Sequence, residues 1–352
     1  IQYVKKRVQA VKPNAVNEYV KPQPKVIEDC SIFKPQAIVS KSYNMILAWI
    51  LFALTLTIYI TTQARTMSFW DSGEYATCIS ILGVPHPPGN PFYILFGRAI
   101  VAIFGSVFSH AMISAFLSGL TSAFAVMFTY LFTVKLVSML KVKGWEAMLA
   151  GSVAALYTAF SFTFWMNAIE AEVYSGLVFF VNLIIWLTLV WVEKSDDYNH
   201  QNILLLIVYL FFLGFCVHQT ALQIAPAILF IIVYPMLQKG VRGDNFWVKV
   251  FGYTLAILAG YFIFGGIGKG LAIDDFDKWG FAFVALVILC IELKEIFGKK
   301  FWLLSIALVL IGLSSHLYLM IRAADRPFIN EGHPSTLKAF QDYVLRKQDG
   351  NT

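Results

Sequence analysis

The sequence predicts an all-α fold: a polytopic transmembrane helical bundle with about nine spans and one interfacial or re-entrant helix. Two observations lead to this prediction. Hydrophobic residues make up 58% of the chain and charged residues only 14%, whereas soluble domains contain about 45–50% apolar and about 25% charged residues. Several apolar runs also approach the roughly 20 residues that a helix needs to cross the hydrocarbon core of a bilayer.

The predicted spans follow a polar N-terminal tail. Their approximate bounds are 44–62, 112–136, 147–164, 174–192, 203–217, 221–237, 247–267, 280–297 and 301–321. The first long apolar run begins near Asn44, after the tail, so nothing indicates a cleavable signal peptide.

One further apolar run, residues 92–108, is predicted to be an interfacial or re-entrant helix. Arg98 lies near its middle, where a charge is costly in lipid, and a proline-rich stretch precedes it. Counting this run as a span would also place the basic loop of residues 137–146 away from the cytoplasm, against the positive-inside rule.

The distribution of charge divides the chain into three parts. Residues 1–43 form a predicted cytoplasmic tail with eight Lys or Arg residues and three acids. Residues 44–325 form the transmembrane domain, and residues 326–352 a non-cytoplasmic C-terminal segment. The tail either only sets the orientation of the helices or also contacts anionic lipid or a partner.

The net charge and the cysteines exclude several classes of protein. The charge of +6 is explained by basic residues on cytoplasmic segments, so no nucleic-acid partner is predicted. The four cysteines lie far apart in the sequence, without CxxC or metal-ligand spacing, which supports neither a zinc site nor a disulfide framework. We therefore assign no metal ligands from the sequence.

Unusual polar residues concentrate on the side of the membrane opposite to the predicted cytoplasmic tail, where residues 63–111 form the first outer loop. In the first outer loop, Asp71 and Glu74 are three residues apart and share one face if that stretch is helical. A carboxylate beside aromatic residues at a membrane surface can act as a base, but Asp71 is equally suited to cap a short helix. The proline-rich stretch that follows fixes the position of His86, whose role is either structural or catalytic.

Other candidates lie in later outer segments. Glu170 and Glu172 precede a span, where they either face solvent at a helix start or share a cleft with Asp71. His218 lies in a polar turn between two apolar runs. Arg322 ends the last span and is either a snorkelling residue or a phosphate ligand; Arg98 is the second candidate for binding phosphate.

The predicted spans are nearly free of charge. Proton and ion carriers usually place ionisable residues at mid-membrane and have paired broken helices. The sequence shows neither feature beyond Arg98 and the break at residues 86–91, and therefore favours chemistry at the membrane surface over transport.

Two sequence blocks in the first outer loop are the most specific feature of the chain. They read Phe69-Trp70-Asp71-Ser72-Gly73-Glu74-Tyr75 and His86-Pro87-Pro88-Gly89-Asn90-Pro91. Weaker blocks follow in order at Trp165, at 170–174, at 218–220 and from Arg322 to Gly350. Over roughly residues 44–350 these blocks resemble the bacterial DUF2723 membrane proteins, a family related to protein O-mannosyltransferases of the GT-C glycosyltransferase class.

The resemblance implies a function, a donor and a location. Such enzymes transfer a sugar from a polyprenyl-phosphate carrier to an acceptor hydroxyl outside the cytoplasm, and a carboxylate of the first outer loop activates the acceptor. That role falls to Asp71, with Glu74 beside it, and His86, Glu170, Glu172, His218, Arg98 and Arg322 are the candidate substrate-binding residues. The expected location is the bacterial inner membrane, with the N-terminus in the cytoplasm.

Two other functions remain open from the sequence alone. The chain could be a non-catalytic accessory subunit of a larger membrane complex that keeps the same fold, or a transporter or lipid flippase. The expected partners are membrane lipids, the lipid-linked sugar, and either a protein acceptor or that larger complex. The sequence does not decide whether a metal is required.

Overall fold

A computed structural model describes residues 39–140, 142–194, 201–238, 246–271 and 298–347, together with Val284. Within these residues the chain is helical and contains no strand, apart from a single parallel bridge between Val84 and Asn330. The predictions for residues 1–38 of the tail and for the span at 280–297, except Val284, lie outside the described residues. The predicted all-α class is confirmed.

The described residues form the following helices, in chain order. They are α1 (Lys41–Thr62), α2 (Ser72–Ile81), α3 (Pro91–Phe104), α4 (His110–Ser138), α5 (Gly144–Phe160), α6 (Phe162–Ile169), α7 (Tyr174–Glu193), α8 (Gln201–Phe215), α9 (Ala225–Gln238), α10 (Phe246–Leu271), α11 (Gly298–Ala324) and α12 (Leu337–Val344). A 3₁₀ helix, Gln219–Ile224, precedes α9, and a 3₁₀ turn, Ser314–His316, interrupts α11.

Four of the described helices are long and apolar enough to cross a membrane, namely α1, α4, α7 and α11. The pair α5 and α6 makes a fifth if it counts as one span, although its two helices meet at a bend of 64°. The described residues thus support four or five of the nine predicted spans and a membrane location.

The remaining predicted spans differ from the structure in length or continuity. The 147–164 run is divided at Ser161, whose backbone is extended with ψ 140°. The 203–217 run forms the 15-residue helix α8, and the 221–237 run begins in the 3₁₀ helix and continues as α9. The 247–267 run falls within α10.

The 92–108 run forms α3, a helix of 14 residues. A helix of this length rises about 21 Å, which is less than the ~30 Å thickness of the hydrocarbon core. Its length therefore agrees with an interfacial or re-entrant helix that does not cross the membrane alone.

Helix α4 lies at the centre of the bundle and packs against α1, α5 and α7. Small polar residues join it to α7: Ser122 donates a hydrogen bond of 2.8 Å to Ser175, and the Asn182 amide donates to Thr129 at 2.9 Å. Hydrogen bonds between small residues allow close packing of membrane helices. Helix α4 also contacts α2, the helix that begins the candidate site.

The C-terminal segment packs against the turn that follows α2. Val84 N–H donates to the Ile329 carbonyl at 2.9 Å, and Glu331 N–H donates to the Val84 carbonyl at 3.0 Å. The Tyr318 hydroxyl donates to the Gly83 carbonyl at 2.6 Å, and the buried Tyr343 hydroxyl donates to the carbonyl of Pro85. These bonds fix the backbone immediately before His86.

Candidate active site

The site begins at the N-terminus of α2. Asp71 occupies the N-cap position, yet its side chain forms no capping hydrogen bond. Its backbone carbonyl accepts from Tyr75 N–H at 2.9 Å, so the helix starts without help from the carboxylate. The side chain is 47% exposed. The geometry therefore leaves the Asp71 carboxylate available for chemistry and does not match the helix-capping alternative.

Glu74, in the first turn of α2, holds His86 through both of its carboxylate oxygens. Oε1 accepts from His86 N–H at 2.6 Å, and Oε2 lies 2.7 Å from His86 Nδ1. When Nδ1 donates to this carboxylate, the other ring nitrogen, Nε2, is the one left for chemistry. His86 Nε2 lies 3.8 Å from Asp71 Oδ2. The imidazole of His86 thus lies between the carboxylates of Asp71 and Glu74, which the sequence predicted to share one helix face.

The electrostatics of His86 follow from these contacts. The hydrogen bond to Glu74 raises the pKa of His86 above its ordinary value, and the charges of Glu74 and Asp71 add to the rise, while burial opposes it. Nearby carboxylates favour the charged imidazolium, as expected for opposite charges at short range.

Glu172 reaches this cluster from the connection between α6 and α7. Ser72 Oγ donates to the Ala171 carbonyl at 3.3 Å, and Ser118 Oγ donates to the Glu172 carbonyl at 2.9 Å. These bonds hold the connection against α2 and α4. The side chain of Glu172 is largely buried, and its Oε2 atom accepts no hydrogen bond from any residue that the structure describes.

Burial raises the pKa of Glu172 to about 7, and charged neighbours contribute further. Asp71 raises it more than Glu170 does, although Glu170 is only two residues away in sequence, while His86 lowers it. The Glu172 carboxylate is therefore coupled to the Asp71 and His86 pair, as the shared-cleft alternative requires. Glu170 occupies the C-cap position of α6, and its charge raises the pKa of Glu172.

His218 lies at the edge of the same region. Its Nδ1 accepts from Thr220 N–H at 3.3 Å, and its ring centroid is 5.0 Å from that of Tyr174. Burial lowers the pKa of His218, and the charges of Arg346 and His86 lower it further. His218 is thus near the cluster and tends to be neutral, which suits a hydrogen-bonding role.

Arg98 and Arg322 lie at the opposite end of α2 from Asp71. Arg98 donates to the Ser80 carbonyl at 2.5 Å, and Arg322 donates to the carbonyls of Ile81 and Leu82 at 3.0 and 2.8 Å. Cations at the last carbonyls of a helix complement its dipole. A phosphate-binding role for either arginine stays a prediction, since these contacts give each guanidinium a structural partner about 15 Å along the helix from Asp71.

Glu331 is a neighbour that the sequence did not single out as a site residue. Burial raises its pKa, the charges of Glu74 and Asp71 add to the rise, and His86 lowers it. Its backbone is hydrogen bonded to Val84, two residues before His86. The sequence offered one signal for Glu331, its position in the block that follows the last span. That block does not reveal that Glu331 contacts the turn after α2.

One prediction follows from the contacts of Arg322. Arg322→Gln should lower the free energy of unfolding by about 1–3 kcal/mol, because it leaves the carbonyls at the end of α2 without a charged donor. Thermal unfolding of the purified protein in detergent measures the effect. Arg326→Gln, at an exposed position four residues on, is the matched control and should unfold like the wild type. An unchanged stability of Arg322→Gln, together with weaker binding of a lipid phosphate, would instead support the phosphate role.

Comparison with known proteins relates this chain to a family of enzymes. The family described as the protein O-mannosyl-transferase TMEM260 N-terminal domain matches residues 71–240. The match begins at Asp71 and contains the predicted site residues except Arg322. A mouse protein named protein O-mannosyl-transferase TMEM260 is 30% identical over 190 residues, which are 51% of this chain and 25% of the mouse protein.

A second relative comes from Dictyostelium discoideum. The protein O-mannosyl-transferase tmem260 of this organism is 27% identical over 155 residues, or 43% of this chain and 18% of that protein. The chain thus spans about a quarter or less of the length of these relatives. No solved structure matches it. These matches support a relationship to an O-mannosyltransferase-related family, and both relatives are eukaryotic.

Proposed function

We propose that this chain is the membrane part of a glycosyltransferase of GT-C type, which moves a sugar from a polyprenyl-phosphate carrier to an acceptor hydroxyl on the non-cytoplasmic face. The observation that carries the proposal is the convergence of Asp71, Glu74, His86 and Glu172 at one end of α2. Mannose is the first sugar to test, because the two relatives are named O-mannosyl-transferases.

In the proposed reaction, the Asp71 carboxylate takes the proton of the acceptor hydroxyl while the hydroxyl oxygen attacks the anomeric carbon of the sugar. The bond between that carbon and the phosphate oxygen breaks, and its electron pair leaves with the lipid phosphate. A positioned general base typically contributes about 10²–10⁴-fold to the rate. Asp71 suits this role because its side chain is half-exposed and makes no capping bond.

His86 is the proposed positioning group for Asp71. Its imidazole is fixed by two contacts to Glu74 and presents Nε2 towards Asp71 Oδ2 at 3.8 Å. At this distance the imidazole acts on the Asp71 carboxylate electrostatically rather than through a hydrogen bond, and the contacts to Glu74 hold it in place. Glu172, behind this pair, and His218, at its edge, form the proposed walls of the substrate cleft.

The test is a transfer assay with the full-length protein in lipid nanodiscs. We expect radiolabelled mannose to move from polyprenyl-phosphate mannose to a peptide that contains serine and threonine. Nucleotide-linked mannose, which has no lipid carrier, is the matched donor control and should give no product. Absence of transfer from any lipid-linked sugar would refute the proposal and favour the accessory-subunit hypothesis.

A further inference from the structure

The spacing of the donor atoms in the Asp71, Glu74 and His86 cluster is suited to a cation. The distance of 3.8 Å between His86 Nε2 and Asp71 Oδ2 is too long for a hydrogen bond. Two ligands that each lie ~2.1 Å from one ion are separated by ~3–4 Å. One donor atom from each of the three residues lies within 4.8 Å of the others. The geometry therefore leaves room for an ion between the imidazole and the carboxylate.

The contact between Glu74 and His86 resembles the hydrogen bond that a metal-binding histidine makes through the ring nitrogen that does not bind the metal. A metal-binding histidine almost always donates its second ring N–H to a carboxylate or carbonyl, which fixes the ring and its tautomer. Glu74 Oε2 lies 2.7 Å from Nδ1, so Nε2 is the nitrogen left to bind an ion. Glu74 also accepts from the backbone N–H of His86, which holds the whole residue in place.

The charges around the cluster are unbalanced. Asp71 and Glu74 both pair with His86, and the carboxylate of Glu172 lies within electrostatic reach of Asp71. Arg98 and Arg322 bind carbonyl oxygens at the other end of α2. Because clustered carboxylates repel one another in a partly buried site, a bound cation would stabilise them.

Glu172 provides a second and independent observation. The residue is only 9% exposed, and Oε2 has no hydrogen-bond partner among the described residues. A buried carboxylate oxygen without a partner is costly. The Ser72 hydroxyl donates to the Ala171 carbonyl at 3.3 Å, so the residue before Glu172 contacts the residue that follows Asp71.

We propose that this cluster binds one divalent cation of the Mn²⁺ class, with His86 Nε2 and an Asp71 carboxylate oxygen as direct ligands. Glu74 holds the imidazole, and Glu172 adds a buried negative charge within electrostatic reach. One imidazole nitrogen together with carboxylate oxygens is a donor set suited to Mn²⁺. The second carboxylate oxygen of Asp71 stays available to an acceptor hydroxyl. Binding of the cation does not depend on the transfer reaction.

The test uses MnCl₂ and the purified full-length protein. Calorimetry should show one saturable Mn²⁺ site per chain, and pulsed electron paramagnetic resonance should show coupling of Mn²⁺ to one imidazole nitrogen. His86→Gln should remove this coupling and weaken binding at least 10-fold. Asp71→Asn should weaken binding about as much, because loss of a direct ligand should cost no less than the ~10–100-fold known for the outer hydrogen-bond partners of metal ligands. Glu172→Gln should weaken binding while the nitrogen coupling persists.

His333→Gln is the matched control, because His333 is exposed and hydrogen bonded to Asn330 outside the cluster. It should bind Mn²⁺ like the wild type. Absence of saturable binding would overturn the inference and leave an imidazolium shared by two carboxylates. Nitrogen coupling that survives in His86→Gln would overturn it too. If His86→Gln fails to fold, unchanged affinity in both Asp71→Asn and Glu172→Gln would overturn it as well. Mn²⁺ binding without sugar transfer would refute only the proposed function.

Discussion

Asp71→Asn is expected to reduce sugar transfer by about 10²–10⁴-fold, the usual contribution of a positioned general base. Asparagine keeps the size and shape of the side chain but cannot take a proton from the acceptor hydroxyl. Because Asp71 does not cap α2, the substitution should leave helix formation and expression near the wild-type level. Initial rates with polyprenyl-phosphate mannose, together with the midpoint of thermal unfolding, measure the two effects separately.

Asp342→Asn is the matched control for this variant. Asp342 lies in α12 and pairs with Lys347 at 3.1 Å, away from the cluster. We expect this control to keep wild-type transfer, because a surface ion pair contributes little to stability. Wild-type activity in Asp71→Asn would remove Asp71 from the proposed mechanism, whatever the control shows.

Glu74→Gln is the second change with a large expected effect, a loss of about 10²-fold or more in transfer. A glutamine amide offers only one oxygen, whereas His86 contacts both carboxylate oxygens of Glu74. The amide NH₂ group would face an N–H of His86, so the imidazole should lose its fixed orientation towards Asp71. We expect kcat to be lower than in the wild type when it is measured at saturating donor and acceptor.

Glu146→Gln is the matched control for Glu74→Gln, because it also removes a negative charge from the first turn of a helix. Glu146 lies in the first turn of α5, as Glu74 does in α2, and accepts from Lys143 N–H at 3.0 Å. Both variants lose a favourable interaction with the helix dipole, but only Glu74→Gln disturbs His86. Equal activity of the two variants would contradict the positioning role of Glu74.

The spans were predictable where one apolar run forms one helix. The runs that became α1, α4, α7 and α11 contain enough apolar residues to identify them by length alone. The division between α5 and α6 was not predictable from the sequence, because neither proline nor glycine marks the break at Ser161. Its extended backbone depends on how the following residues pack.

The site was predictable in part. The spacing of Asp71 and Glu74 placed both acids near the start of one helix, and the structure confirms that this stretch is helical from Ser72. The contact of Glu74 with His86 joins residues 12 apart in the sequence, across the rest of α2 and the turn after it, and no local pattern determines it. Arg322 shows the opposite difficulty. A guanidinium at the end of a span suits lipid, phosphate or a carbonyl equally, and only the tertiary contact with Leu82 distinguishes them.

The docking of the C-terminal segment has a consequence for experiments that map membrane sidedness with reporter fusions. Reporters are usually joined directly after a span, which here means near Asp325. A fusion at that point would replace the residues that bond to Val84 and Pro85. It would therefore report on a protein whose His86 turn has lost its support. A junction after Lys347 keeps Ile329, Glu331 and Tyr343 in place, and is the safer position for such a reporter.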